Sequence, residues 1–226
     1  MEAGTLAQWV GALGTFSAVA VALFKDDLVR LRRHPRLVAK IAAKHPYCVK
    51  TPFEHTDAGT GQVWRGSRYF LRFSVENTGR VRAEEVEVFL AQASEQDDNG
   101  MFRALPNFSP MNLRWSYSPL NPPKIYADGI SPGMSRLCDF GAITEPSHPV
   151  MQALSEGGDH TRLALQLEAL EPAANWLMPR KYKFKIRLAA SNCEPVTSEV
   201  ELHLTGLWSN DPVNMMSNGF VIREVS

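Results

Sequence analysis

The sequence predicts a mainly β chain, an antiparallel β-sandwich preceded by one N-terminal transmembrane helix. Three observations carry this. Apolar and polar residues alternate with period two in five separate segments, turn residues punctuate the intervals between them, and an uncharged run of twenty residues opens the chain.

The run Thr5 to Phe24, TLAQWVGALGTFSAVAVALF, comes first. At about 1.5 Å per helical residue it reaches roughly 30 Å, the thickness of a bilayer's hydrocarbon core. Its Leu, Val and Phe residues favour insertion, and Gln8, the glycines and the hydroxyls of Thr5, Thr15 and Ser17 oppose it, leaving a modest net preference for the bilayer. Residues 1–24 are therefore expected to form a transmembrane helix. Ala7, Gly11 and Thr15, with Gly14 and Ala18 one step out of phase, place small residues at four-residue spacing, a face on which helices pack closely.

Residues 25–36 form a basic juxtamembrane segment. Lys25, Arg30, Arg32, Arg33 and Arg36 crowd beside the run, while Glu2 is the one charged residue before it. These cations suit anionic headgroups, and by the positive-inside rule they place the following domain in the cytoplasm and the protein in the inner membrane, with the bilayer as its first partner. A competing expectation is signal cleavage at Ala18-Val19-Ala20 or Ala20-Val21-Ala22, which would release a periplasmic ligand-binding module, although Met-Glu-Ala-Gly lacks the positive leader of a signal peptide.

From 37 to 226 a single β-sandwich domain is expected. Tyr69, Leu71, Phe73 and Val75 share one strand face, with Arg72, Ser74 and Glu76 on the other. The same alternation recurs in Val86, Val88 and Leu90, in Leu163, Leu165 and Leu167, in Tyr182, Phe184, Ile186 and Leu188, and in Val200, Leu202 and Leu204. Weaker strands are read at Leu37 to Ile41, Leu113 to Tyr117, Ser135 to Ile143 and Phe220 to Val225, with turns at Asn77-Thr78-Gly79, Gly157-Gly158-Asp159 and Asn210-Asp211-Pro212 and a hairpin tip at Asp57 to Gly61. Strands with one buried and one wet face pack as two sheets. Between Ser94 and Met134 lie six of the fifteen prolines, and this stretch reads as a long loop whose Phe108, Trp115, Tyr117 and Tyr126 are candidates for a partner-binding surface.

The run from Phe73 through Asn77, Gly79 and Ala83 to Val88 resembles the strand, Asn-x-Gly turn and Ala-then-strand signature of bacterial immunoglobulin-like domains of the cell-adhesion-related, CARDB-type family. In that pattern Gly79 is expected to supply a positive φ at the bend, and Ala83 to fit where the chain joins the sheet. The layout of one span, a basic segment and a sandwich also resembles many small bacterial membrane proteins. The resemblance implies an immunoglobulin-like fold and no activity.

Charge excludes the simplest partners. The 24 Lys and Arg equal the 24 Asp and Glu, and residues 1–50 hold eight of the former against three of the latter, leaving residues 51–226 with 16 against 21. No nucleic acid is expected on a domain of that balance. Three scattered cysteines, Cys48, Cys138 and Cys193, fit a reducing compartment, and neither they nor the six histidines take metal-ligand spacing. Gly59-Thr60-Gly61 lacks the Lys-Ser/Thr ending of a phosphate loop, and no Gly-x-Ser-x-Gly elbow occurs. No metal, cofactor, small-molecule substrate or catalytic group is expected. These features together point to a single-span membrane protein whose cytoplasmic sandwich is a protein-interaction or self-assembly module, binding a protein partner or another copy of itself. An oligomeric membrane-perturbing effector of the antiphage type is the alternative that the small-residue helix suggests.

Overall fold

The computed structural model describes residues 14, 15, 17, 19, 21, 22, 34–57, 59–106, 108–118, 126–147, 160–166 and 176–225. Gly14, Thr15, Ser17, Val19, Val21 and Ala22 are helical. Among the described residues no helix is long and apolar enough to cross a membrane, and most of the Thr5 to Phe24 run lies outside them.

Two antiparallel sheets build the rest. The first joins β1 (Leu37–Lys40), β3 (Val63–Asn77), β9 (Ser135–Thr144), β10 (Leu163–Leu165) and β11 (Trp176–Leu177) in that order, with β2 (Cys48–Thr56) also on β3 and β7 (Arg114–Trp115) also on β9. The second joins β14 (Phe220–Val225), β13 (Cys193–Leu204), β12 (Lys181–Ala190), β4 (Ala83–Gln96) and β5 (Phe102–Ala104), with β6 (Met111–Asn112) and β8 (Tyr126–Ile130) also on β4. The alternating residues meet between the sheets. Tyr69, Leu71, Phe73 and Val75 of β3 are fully buried, as are Val86, Val88 and Leu90 of β4 and Phe184, Ile186 and Leu188 of β12. Phe140 of β9 stands edge-on to Phe73 at 5.3 Å and to Phe184 of the opposite sheet at 5.0 Å, so an aromatic chain crosses the core. Each such side chain contributes about 1.5–3 kcal/mol by leaving water.

The structure corrects several expectations. The stretch from Ser94 to Met134 is not one long loop, because β4 runs on to Gln96 and β5 to β8 lie along β4 and β9. Their pairs are two to five residues long, too short to show a period in the sequence. β2 was not anticipated, since Pro52 interrupts its pattern; it pairs with β3 alone, an edge position where a missing N–H is tolerated. Gly79 has no positive φ. It is needed for close approach instead, since a Cβ there would lie 2.5 Å from the His34 carbonyl oxygen and 2.7 Å from Pro35 Cα, and closer still to Arg36 N.

The first residues of the sandwich are bound to that same turn. Thr78 N donates to the Arg36 carbonyl at 2.8 Å and Arg80 N to the His34 carbonyl at 3.3 Å. Asn77, wholly buried, completes the junction: its Oδ1 accepts from Arg36 N (3.1 Å) and Gly79 N (3.0 Å), and its Nδ2 donates to the Val81 (2.7 Å) and Ile130 (2.8 Å) carbonyls. Ala83, as expected, is fully buried where β4 begins. Three residues on, Val86 is buried too, a spacing that breaks alternation; Glu85, between them, takes φ 52° and resets the phase, leaving Glu84 and Glu85 both exposed. The hairpin tip forms as read, with Asp57 Oδ1 accepting from Gly59 N, Thr60 N and Thr60 Oγ1, which holds its carboxyl below the usual carboxylate range. Asp211 caps a short helical turn, Pro212–Asn214. Gly157 to Asp159 and Leu167 lie outside the described residues.

Candidate interaction surface

The outward face of β3 reads Arg68, Phe70, Arg72, Ser74 and Glu76. An aromatic between two arginines is unusual on the wet side of a strand, and neighbouring strands explain it. Phe53 of β2 and Phe70 bracket the Arg68 guanidinium, 4.4 and 4.5 Å from their ring centroids. Phe70 and Tyr117 bracket Arg72, each ring at 5.3 Å. The result is a ladder of alternating rings and guanidinium groups running across β2, β3 and the end of β7. Each stacked contact is worth about 0.5–1 kcal/mol where water has access, and more where it does not.

Asp139 is the carboxylate that sits among these arginines. A β-bulge sets Leu71 opposite Gly141 but Arg72 opposite Asp139, so Phe140 turns into the core and Asp139 turns out toward Arg72. Arg72 Nε lies 3.0 Å from Asp139 Oδ1, with the two side chains only 9% and 19% exposed. Ser116 Oγ donates to the same oxygen at 2.5 Å. From the other side Arg114 is in register with Asp139, so two arginines flank one acid. The Nε atoms of Arg114 and of Arg68 are buried with no hydrogen-bond partner. Burial pushes the Arg68 guanidinium below its ordinary value, and Asp139 opposes that shift.

Tyr117 caps the ladder. It is 87% exposed and holds φ 62°, a conformation that costs an L-residue with a bulky side chain roughly 1–2 kcal/mol. Arg72 Nη1 donates to its hydroxyl at 3.4 Å, and the adjoining turn is tied by Ser118 Oγ donating to the Trp115 carbonyl at 2.6 Å. A strained, solvent-facing tyrosine thus stands above a buried ion pair.

The four aromatics proposed as a partner surface do not assemble into one. Trp115 is a core residue, 5% exposed, because β7 alternates inward there against Cys138. Phe108 packs partly buried against the core. Tyr126 begins β8, its backbone in register with Glu87. Tyr117 alone of the four is shown at the surface. Of the juxtamembrane cations Arg36 is exposed, beside a groove of about 870 Å³ between the 34–37 segment and the β12–β13 turn. Lys25, Arg30, Arg32 and Arg33 lie outside the described residues, as do Ala7, Gly11 and Ala18 of the helix-packing face; Gly14 and Thr15 are helical and exposed.

The three cysteines are held as thiols. Burial pushes the Cys48 thiol up to about 12, Cys138 well above its ordinary value and Cys193 upward, so all three stay protonated near neutrality. Among the described residues no three His, Cys, Asp or Glu side chains gather as metal ligands. Sequence reading missed Arg68, Phe70, Arg114, Asp139 and Phe53 as a group, although Phe70 on the polar side of an otherwise clean alternation was a visible signal. Comparison with protein families, with curated proteins and with solved structures finds no match to this chain.

Proposed function

We propose that this protein is a membrane-tethered interaction module: an immunoglobulin-like sandwich, held at the inner membrane by a span over residues 5–24, that docks a protein partner through the outer face of β2, β3 and β9. The observation that carries the reading is Tyr117, nearly fully exposed, at φ 62°, and stacked on an arginine whose only ion-pair partner among the described residues is Asp139. Rigid aromatic and arginine side chains already immobilised before binding lose little entropy on association, which is why such residues dominate interface energetics. The basic flank, of which Arg36 is the described member, supports the cytoplasmic orientation. The close docking of residues 34–36 on the 77–80 turn supports a sandwich held at a fixed attitude to whatever precedes it.

A photo-crosslinking residue placed at position 117 in the full-length chain, in cells, tests the docking face. The expected result is a discrete crosslinked species, lost on Arg72→Ala and absent when the crosslinker replaces exposed Arg187 on the opposite sheet. Equal products from positions 117 and 187, or release of the intact chain from membranes by carbonate, refutes the proposal.

A further inference from the structure

Resting on that reading, we infer that the docking face selects an acidic segment of its protein partner, whose carboxylates meet the positive charge that Arg68, Arg72 and Arg114 hold in excess of Asp139.

The charge count on the face is one-sided. Arg68, Arg72 and Arg114 stand against Asp139, while farther along β3 Glu76 is already matched by Lys40 at 2.6 Å. The Nε atoms of Arg68 and Arg114 are buried and face inward, so a carboxylate from outside would meet the remaining N–H groups of each fork and the excess positive charge of the face. The rings of Phe53 and Phe70 hold the Arg68 fork in place, so a lysine in its position would offer neither the planar edge nor the stacking.

Other anions fit less well. A nucleic acid would meet a domain whose residues 51–226 carry five more acids than bases. A bilayer would lie at the Asn77 end of β3, where residues 34–36 join the sandwich; Arg68, nine residues up the strand, stands about 30 Å from that end, several screening lengths away. Of the acids a second copy would bring near the height of Arg68, Glu54 is already paired with Arg65 at 2.9 Å and Glu199 with Lys185 at 3.8 Å, while Glu84, Glu85 and Glu194 sit at the level of the Asn77 end; self-association that moves the Arg68 resonance without peptide would overturn the inference.

The experiment uses the full chain in neutral detergent micelles, with arginine Nε–H resonances followed by NMR during titration with a hexaglutamate peptide. The resonances of Arg68 and Arg114 are expected to shift together, and the apparent affinity to fall about tenfold between roughly 0.05 and 0.3 M salt. Arg68→Gln and Arg68→Lys should each weaken binding about tenfold, while Arg187→Gln on the opposite sheet leaves it unchanged. Matching thermal melts for all variants exclude unfolding as the cause. No shift, a shift that survives Arg68→Gln, or tighter binding of phosphatidylglycerol vesicles or of a single-stranded oligonucleotide at the same face overturns the inference. A partner crosslinked at position 117 together with a silent hexaglutamate titration would discard the acidic chemistry and leave the docking face standing.

Discussion

Asn77 is the residue on which the junction between the N-terminal segment and the sandwich depends, and its replacement has a calculable cost. In Asn77→Ala four hydrogen bonds vanish at once: those accepted from Arg36 N and Gly79 N, and those donated to the Val81 and Ile130 carbonyls. The bond to Ile130 is buried at both ends, so its orphaned carbonyl bears a desolvation penalty of about 1–3 kcal/mol, and the three partly buried bonds contribute about 0.5–1.5 kcal/mol each. Because these losses share one side chain they do not add in full, and a total of about 3–5 kcal/mol is expected. For a chain of this size that corresponds to a melting temperature lower by about 6–20 °C, read by circular dichroism of the detergent-solubilised protein. Asn77→Asp sharpens the test. Its carboxylate keeps the acceptor for Arg36 N and Gly79 N but turns a second oxygen toward two carbonyls, which favours the protonated acid and raises its folded pKa above the unfolded value of about 3.9. The sign follows: relative to wild type, this variant is most stable below pH 4 and loses stability as pH rises through the folded pKa. An Asn77→Ala melt within about 2 °C of wild type, or an Asn77→Asp curve parallel to wild type across that range, would refute the account.

Gly79→Ala should cost about 1–3 kcal/mol, since its Cβ meets backbone atoms of residues 34–36 that cannot rotate away, and hydrogen exchange should show the 34–36 amides opening first. At position 85, strand propensity and backbone conformation make opposite predictions: Glu85→Val should lower stability by about 1 kcal/mol and Glu85→Gly raise it by about 0.5 kcal/mol, as measured by urea unfolding, because φ 52° decides. Burial pushes Tyr69 and Tyr182 each up to about 12 and raises the three thiols, so stability should begin to fall above about pH 8.5, where the unfolded chain releases thiol protons, and fall more steeply between about pH 10 and 12, where it releases phenolic protons that the folded chain retains. Ultraviolet phenolate titration alongside urea melts at each pH checks the coincidence; a fall complete by pH 9 would contradict it.

The five long alternations became β3, β4, β10, β12 and β13, although Leu167 lies outside the described part of the third. They were legible because a half-buried antiparallel strand writes its inside and outside into every second residue. What escaped was structure made by pairing alone. β2 has no alternation of its own around Pro52, and β5 to β8 are too short to carry a period; they exist because β3, β4 and β9 are long enough to template them. The Asn-Thr-Gly turn was legible as a turn but not as a joint, since the reason for its glycine lies forty residues earlier, at His34 to Arg36.

The ladder of rings and guanidinium groups escaped for a related reason. Its residues come from β2, β3, the β7 end and β9, and only the bulge at Phe140 brings Asp139 under Arg72. In a regular ladder the next residue opposite Arg72 would have been Phe140 itself, and the arginine would have faced a ring instead of a carboxylate. Substitution at Asp139 therefore separates two properties that the single sequence merges, the shape of the face and its charge. Deleting Gly141 takes out the extra residue and sets Phe140 opposite Leu71 with Asp139 still opposite Arg72, whereas Asp139→Asn keeps the geometry and removes the charge. If the face is held in shape by its ring and guanidinium stacking, Asp139→Asn leaves Tyr117 in place and adds to the positive charge that an acidic partner meets. Binding of hexaglutamate should then tighten while stability drops, because Arg72 loses the partner for a guanidinium that is largely removed from water. Weaker binding in Asp139→Asn would show that the carboxylate orders the face more than it neutralises it.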